Sequence, residues 1–168
     1  GAHALSMLER IASPADLRAL PPESLVPLCA EVREAIVEVC GRVGGHLGAS
    51  LGTVELIVAL HRVFHSPVDR LVFDVGHQAY AHKLLTGRRD RMSTLRQVGG
   101  LAPFLDPSES EHDAFGAGHA STAISIGVGL SEGLRLSQAP GQVVAIVGDG
   151  ALTGGESFEG LNHAAVAS

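Results

Sequence analysis

Apolar residues recur along this chain in two rhythms. Leu25, Leu28, Val32, Ile36, Val39 and Val43 follow one another at three- and four-residue steps, which lays one apolar stripe along about five helical turns, and Gly44-Gly45 supplies the stop. Ahead of it, Ser13-Pro14-Ala15-Asp16 opens a short helix, since serine can accept from an unpaired amide and proline already holds a helical φ. Val54, Ile57, Val58 and Phe64 mark a further helix that ends before Ser66-Pro67. Residues 78–85 read as a helix stopped at Gly87, and residues 91–97 as another stopped at Gly99-Gly100. Proline, serine and acids dominate residues 101–113, which predicts a surface loop. Helical spacing returns over residues 121–137, where Gly127, Gly129 and Gly133 cost helix propensity and so predict close packing on a neighbour. A last helix is expected from about Gly155, with Phe158 and Leu161 turned inward.

Two short runs break the helical rhythm. Leu71-Val72-Phe73 reads as a buried strand that ends in Asp74-Val75-Gly76-His77. The run Val143 to Val147 is apolar on both faces, as in a parallel sheet covered by helices on both sides, and ends in Gly148-Asp149-Gly150. Helices alternating with such strands predict an α/β domain with a parallel sheet flanked by helices. Two strands are fewer than such a sheet needs, so the sheet reads as truncated at the carboxyl end, with an apolar edge that favours association. Residues 7–168 carry the organised pattern, and residues 1–6 read as a tag or upstream residues.

Composition narrows the partners. A formal charge of −6 argues against nucleic acid or an anionic membrane surface, because both demand a basic face. An anionic ligand must then be held by local means, such as backbone amides, a helix amino terminus or a divalent cation. Cys29 and Cys40 lie about three turns apart on one helix, too far for a bridge, and read as reduced core residues. No apolar run reaches the roughly 20 residues that span a bilayer, and no secretory layout opens the chain, so the cytoplasm is the expected compartment.

The chemistry is expected at the strand tips, because ligands of open α/β sheets sit beyond the carboxyl ends of the strands. If the strands run parallel, His77 and Asp149 open onto the same side. In Gly148-Asp149-Gly150 the glycines let the backbone approach a phosphate, while the carboxylate between them offers a hard oxygen to Mg²⁺. The tripeptide alone is equally compatible with a glycine turn that carries a solvated aspartate. Gly148, Gly150 and Gly154 are one residue too widely spaced for the dinucleotide fingerprint, and no Walker A sequence occurs. His61 and His65 stand at i and i+4, but no H-E-x-x-H pattern or nearby cysteine supports zinc, and they read as exposed or capping. His46, His77 and His119 lie in or beside glycine-rich turns, where an imidazole can donate to phosphate or shuttle a proton, although a structural hydrogen bond accounts for any one of them alone.

Several of these strings together resemble one family. Gly44-Gly45-His46 with Leu51 to Leu56, DVGHQAYAHKLLTGRRD at Asp74 to Asp90, GGL at 99 to 101, SESEHD at 108 to 113, GHASTAIS at 118 to 125 and GDGALTGGESFEGLNHA at Gly148 to Ala164 are similar, in order and spacing, to the 1-deoxy-D-xylulose-5-phosphate synthases. Transketolases share the GDG turn, but DVGHQAY with SESEHD favours the synthases. The resemblance implies a partial thiamine-diphosphate-binding fold and a homodimeric transferase. Such an enzyme condenses pyruvate with glyceraldehyde 3-phosphate, with loss of carbon dioxide, for isoprenoid precursor, thiamine and pyridoxal synthesis. It implies thiamine diphosphate and Mg²⁺ as cofactors. Asp149 would be the metal ligand, Gly150 and Ala151 backbone contacts to the diphosphate, and His77, Gly118, His119 and Ala120 the cofactor lining. His46 would be a proton shuttle over the reacting carbon.

Departures from the family pattern qualify this. Ala120 and Ala49 stand where relatives usually carry serine, and Glu156 stands where methionine is common. Glu156 would bring a repelling charge near the diphosphate unless it points away or caps the helix. The asparagine expected to complete the metal site, and the glutamate that activates the cofactor, lie beyond Ser168 in the family pattern. The chain alone is therefore expected to bind cofactor weakly or not at all and to be inactive. A stand-alone binding module, or the remnant of a decayed gene, is the alternative.

Overall fold

A computed structural model describes residues 5–116 and 118–167. The chain divides into two compact units, Gly1–His65 with Gln78–Pro103, and Ser66–His77 with Phe104–Ser168.

The first unit is helical. Helix α1 (Pro14–Ala19) starts at Ser13, where the Asp16 carboxylate accepts from the backbone N–H groups of Ala12 (2.9 Å) and Ser13 (2.8 Å). The Ala12 amide, with help from Ser13, holds the Asp16 carboxyl below its usual range against the opposing effect of partial burial. Helix α2 (Leu25–Val43) runs the length its apolar stripe predicts, burying Leu28, Val32 and Ile36, and ends at Gly44 with φ +74. A one-turn helix α3 (Leu47–Leu51) leads to α4 (Val54–Val63), which ends before the cis Ser66-Pro67 bond. Helix α5 (Tyr80–Lys83) widens into a π-type segment, Leu84–Arg88, where Gly87 takes φ +84, and a 3₁₀ segment follows at Arg89–Thr94. Leu5 and Ser6 join this unit: the Arg10 guanidinium donates to the Leu5 carbonyl, and the Ser6 N–H donates to Glu9.

The expectation for the histidine pair is half corrected. His65 is exposed, but His61 is completely buried, because it extends the inward face formed by Val54, Ile57 and Val58 of α4. Its Nε2 lies 2.9 Å from Nδ1 of buried His82, and the two rings stack with centroids 5.0 Å apart. Cys29 and Cys40 are free thiols, the first buried and the second half-buried.

The second unit holds the sheet. Strands β1 (Arg70–Phe73) and β2 (Val143–Ile146) pair in parallel, with Arg70 opposite Val143 and Phe73 opposite Ile146. Asp69 sets the register at the near end, where its carboxylate accepts from Gln142 N–H at 2.7 Å. Helix α6 (Ala123–Ser137) lies against both strands. After β2 come α7 (Asp149–Leu152), a single turn, and α8 (Gly155–Val166), which packs on α6. Residues 101–113 carry turns rather than helix or strand, yet Leu101 is buried in the first unit and Leu105 and Asp113 in the second, so the segment is not simply a surface loop.

Three expectations about this unit change. Strand β1 is buried, but β2 is not covered on both faces: Val143 and Val144 are half-buried and Ala145 is exposed. Small side chains explain the opening, since Gly127, Ala145 and Ala164 line a groove of about 300 Å³ beside β2. Gly127 packs closely, with Val143 Cγ1 3.7 Å and Ala145 Cβ 3.8 Å from where its Cβ would stand, whereas Gly129 and Gly133 meet nothing within 4 Å. Phe158 and Leu161 point outward, at 58% and 46% exposure, because the inward positions of α8 go to Gly160, which faces Ile124 and Ser125 of α6, and to buried Ser157.

The α6–α8 seam can be tested directly. A Cβ on Gly160 would stand 2.9 Å from Ile124 Cγ2 and 3.1 Å from the Ser125 backbone nitrogen, so Gly160→Val is expected to destabilise by about 1–3 kcal/mol in urea denaturation. Gly133→Ala, with open space before it in the middle of α6, is expected to stabilise by about 1 kcal/mol in the same assay.

Candidate functional site

The carboxyl ends of β1 and β2 carry the two polar turns, and Asp74 organises them. Its side chain is buried at 1% exposure. Asp74 N–H donates to the Ile146 carbonyl at 2.8 Å, which ties the tip of β1 to the tip of β2. Its carboxylate accepts from Ser121 N–H at 2.8 Å and from Ala123 N–H at 3.1 Å. Those amides open α6, a 15-residue helix whose positive end suits a carboxylate. A desolvated carboxylate is tolerable here because backbone donors replace its water.

The chain turns sharply after Asp74. Gly76 N–H donates back to the Asp74 carbonyl at 2.7 Å, and Val75 and Gly76 take φ +63 and +89. Left-handed backbone is costly for a β-branched valine and persists where its surroundings hold it. Leu105 closes over Gly76, its backbone nitrogen 3.2 Å from a Cβ built there. His77 follows this turn and is half-buried.

Ser121 links the second segment to the third. It also takes a positive φ, +73, and its Oγ donates to the Ala151 carbonyl at 2.7 Å. The same carbonyl accepts from Ser157 Oγ at 2.9 Å. Gly154 is packed so tightly that an added Cβ would fall 2.0 Å from Ser121 Oγ. The Asp74 turn, the Gly118-His119-Ala120 segment just before Ser121, and the Gly148 to Ala151 segment are therefore held by one continuous hydrogen-bonded set.

The predicted residues lie at the rim of this set. Gly118, His119 and Ala120 are exposed, with the Phe104 ring 3.5 Å from a Cβ built on Gly118. Asp149 is exposed, and its Oδ1 accepts from the adjacent Gly150 N–H at 2.9 Å. A Cβ on Gly148 or on Gly150 would meet nothing within 4 Å, so both present open backbone. Asp149 and Gly150 themselves open α7, which is only four residues long, and α8 begins at Gly155, so the dipole support expected from the following helix starts further along the chain. Glu156 does not stand loose beside the turn: its Oε1 accepts from Ser125 Oγ of α6 at 2.7 Å.

A hard, exposed carboxylate between two unobstructed glycines suits a Mg²⁺-bridged diphosphate, which itself brings oxygens to the cation. Asp149 would supply one ligand and the open backbone a close approach. Among the described residues no group of three or more His, Cys, Asp or Glu is placed to hold a metal by itself.

His46 belongs to the first unit. It caps α3, and its backbone N–H donates to Tyr80 Oη at 3.2 Å. Sequence reasoning passed over Asp74, Ser121 and Ser157 in the second unit and, separately, Tyr80 in the first. Each carries a polar atom inside a run already read as helix or turn, and the signal that reveals it is burial.

A family model described as 1-deoxy-D-xylulose-5-phosphate synthase matches residues 8–168. The 1-deoxy-D-xylulose-5-phosphate synthase of Myxococcus xanthus (strain DK1622) is 69% identical over 158 residues, covering 94% of this chain and 27% of the relative. Proteins of the same name are 65% identical in Anaeromyxobacter sp. (strain Fw109-5), covering 94% of this chain and 25% of the relative, and 58% identical in Rhodobacter capsulatus, covering 94% and 24%. The chain spans about a quarter of the length of the curated relatives it matches.

Removing the buried carboxylate tests the set. Asp74→Asn keeps the shape but turns an amide NH₂ toward backbone N–H donors, and is expected to cost about 2–3 kcal/mol with faster hydrogen exchange at the Ser121 and Ala123 amides. Ser121→Ala is expected to cost about 1 kcal/mol and to leave the Ala123 amide protected. Unchanged exchange in Asp74→Asn would show that the carboxylate does not hold these segments.

Proposed function

The chain belongs to the 1-deoxy-D-xylulose-5-phosphate synthase family, and from that premise we propose that it forms the amino-terminal part of the diphosphate-binding domain of such an enzyme. That enzyme condenses pyruvate with glyceraldehyde 3-phosphate and releases carbon dioxide. It works as a cytoplasmic homodimer with thiamine diphosphate and Mg²⁺, and its product serves isoprenoid precursor, thiamine and pyridoxal synthesis. The observation that carries this reading is the linkage of three family segments at the strand tips through Asp74, Ser121 and the Ala151 carbonyl.

Bound thiamine diphosphate supplies the electron-accepting carbon centre, which no side chain offers. The residues of this chain bind and orient. Asp149 gives Mg²⁺ a hard oxygen, while Gly150 and Ala151 offer backbone to the diphosphate. His77, Gly118, His119 and Ala120 line the cofactor, with His119 as a donor to an anionic oxygen. His46 handles hydrogen bonding at the reacting substrate. Ala120 and Ala49, in place of the usual serines, each remove one hydroxyl, so backbone bears more of the binding here. No helix among the described residues is long and apolar enough to cross a membrane.

The test is a graft. Residues 8–168 replace the matching segment of the Myxococcus xanthus synthase, and product formation from pyruvate and glyceraldehyde 3-phosphate is measured. The graft is expected to remain active, and Asp149→Asn within it is expected to raise the Mg²⁺ concentration needed for half-activity by about 10–100-fold. A folded graft that forms no product, or an Asp149→Asn graft with unchanged Mg²⁺ dependence, would refute the assignment.

A further inference from the structure

One carbonyl gathers hydroxyls from the entrances of two helices. Ser121 Oγ stands 2.7 Å and Ser157 Oγ 2.9 Å from the Ala151 carbonyl oxygen. Ser121 is buried where the chain enters α6, and Ser157 is completely buried in the first turn of α8. Each hydroxyl has one proton to donate, and inside the fold that proton must find an acceptor. A carbonyl oxygen has two lone pairs, so the two hydroxyls saturate it, and Gly154 N–H, at 3.3 Å, adds only a longer contact.

The other end of the same peptide group is held as well. Leu152 N–H donates to the Gly148 carbonyl at 3.0 Å and closes α7 over Asp149, Gly150 and Ala151. A planar peptide fixed at both its C=O and its N–H has little freedom to rotate, and hydrogen bonds at one end polarise the group and strengthen those at the other. The turn needs this support, because a single helical turn does not persist by itself in water. Gly148 and Gly150 add to the need, since glycine loses more conformational freedom on ordering than any other residue.

We propose that Ser121 and Ser157 are positioning residues whose hydroxyls clamp the Ala151 carbonyl from the entrances of α6 and α8 and hold the backbone of Gly148 to Ala151 in the conformation that receives a diphosphate. The functional half of this rests on the synthase reading; the clamp is a property of the chain itself. Ordering of the turn is then completed in folding and not in binding, which favours affinity. Among the described residues the Ser157 hydroxyl bonds only to this carbonyl, so its effect on the turn passes through that one atom. The two hydroxyls share an acceptor, so each covers for the other: loss of one leaves the carbonyl held, and loss of both frees it.

The test compares Ser121→Ala, Ser157→Ala and the double variant. On the full 168-residue chain, ¹³C NMR reads the Ala151 carbonyl through the peak that joins it to Leu152 N–H. Each lost donor is expected to move that carbon upfield, the double variant furthest, while the peaks of β1 and β2 stay in place and report an intact fold. An unmoved carbonyl in a folded double variant overturns the clamp. In the graft, titration calorimetry with thiamine diphosphate and Mg²⁺ is expected to show affinity lowered about two- to threefold in each single variant and about thirtyfold in the double one, more than the product of the single losses. Turnover at saturating cofactor is expected to fall far less than affinity. A double variant that loses turnover rather than affinity, or whose affinity loss does not exceed that product, overturns the positioning role, and so does a lowered unfolding midpoint with unchanged affinity. If the double variant does not fold, the single ones decide, and one that moves neither the carbonyl nor the affinity overturns the proposal. A folded graft that binds no cofactor would count against the synthase reading, and the carbonyl shifts would still decide the clamp.

Discussion

The buried carboxylate of Asp74 is the constraint on which the second unit depends. It has lost its water, so its oxygens must find donors, and the two amides that open α6 are those donors. Its own amide is spent on Ile146 at the tip of β2. One residue thus fixes where β1 ends, how that end meets β2, and where α6 starts. The left-handed Val75 and Gly76 follow from this, because the chain must reverse at once after a residue anchored on three sides. His77 sits where it does as the first residue free of that reversal.

Close approach is the second theme, and absent side chains achieve it. Gly160 lets α8 lie against α6, and the bare Cα of Gly154 leaves room for the Ser121 hydroxyl to reach the Ala151 carbonyl. Gly45 lets a phenol come up beneath the His46 turn. In each case a methyl group would separate the partners that make the contact. The cost is visible on the far side of α8, where Phe158 and Leu161 face outward because the inward positions went to small residues.

Legibility in the sequence follows the same physics. Helix α2 was readable from end to end because a 19-residue stripe repeats its signal many times and Gly44 adopts the positive φ that ends it. The strands were readable from β-branched runs, including their parallel pairing. The one-turn helices α3 and α7 are too short to show any period, and the two helices read over residues 78–85 and 91–97 are instead a short α5 running into π and 3₁₀ geometry, which spacing does not distinguish from α. His61 was misjudged because a histidine in an apolar stripe looks like an interruption until its partner, His82, is seen 2.9 Å away from another part of the chain. At the tip of β2, the open backbone of Gly148-Asp149-Gly150 was legible because glycines flag such a turn. Asp74, Ser121 and Tyr80 were not, because their roles arise from what surrounds them after folding.

The distribution of acids shows why a net charge alone says little about the proposed anion site. A chain with a formal charge of −6 is a poor general host for phosphate, and three of the carboxylates around the strand tips, Asp74, Asp149 and Glu156, fare differently. Asp74 is enclosed by backbone donors, and Glu156 is bound to Ser125, so both are engaged within the fold. Asp149 and Glu156 are both exposed, but of the two only Asp149 lies between glycines whose Cβ positions meet nothing within 4 Å. A cation recruited there would reverse the local sign of the potential, and the remaining acids would no longer oppose a diphosphate at that turn. Among these three, Asp149 is the carboxylate with unobstructed backbone on both sides, which is the arrangement that the proposed diphosphate site needs.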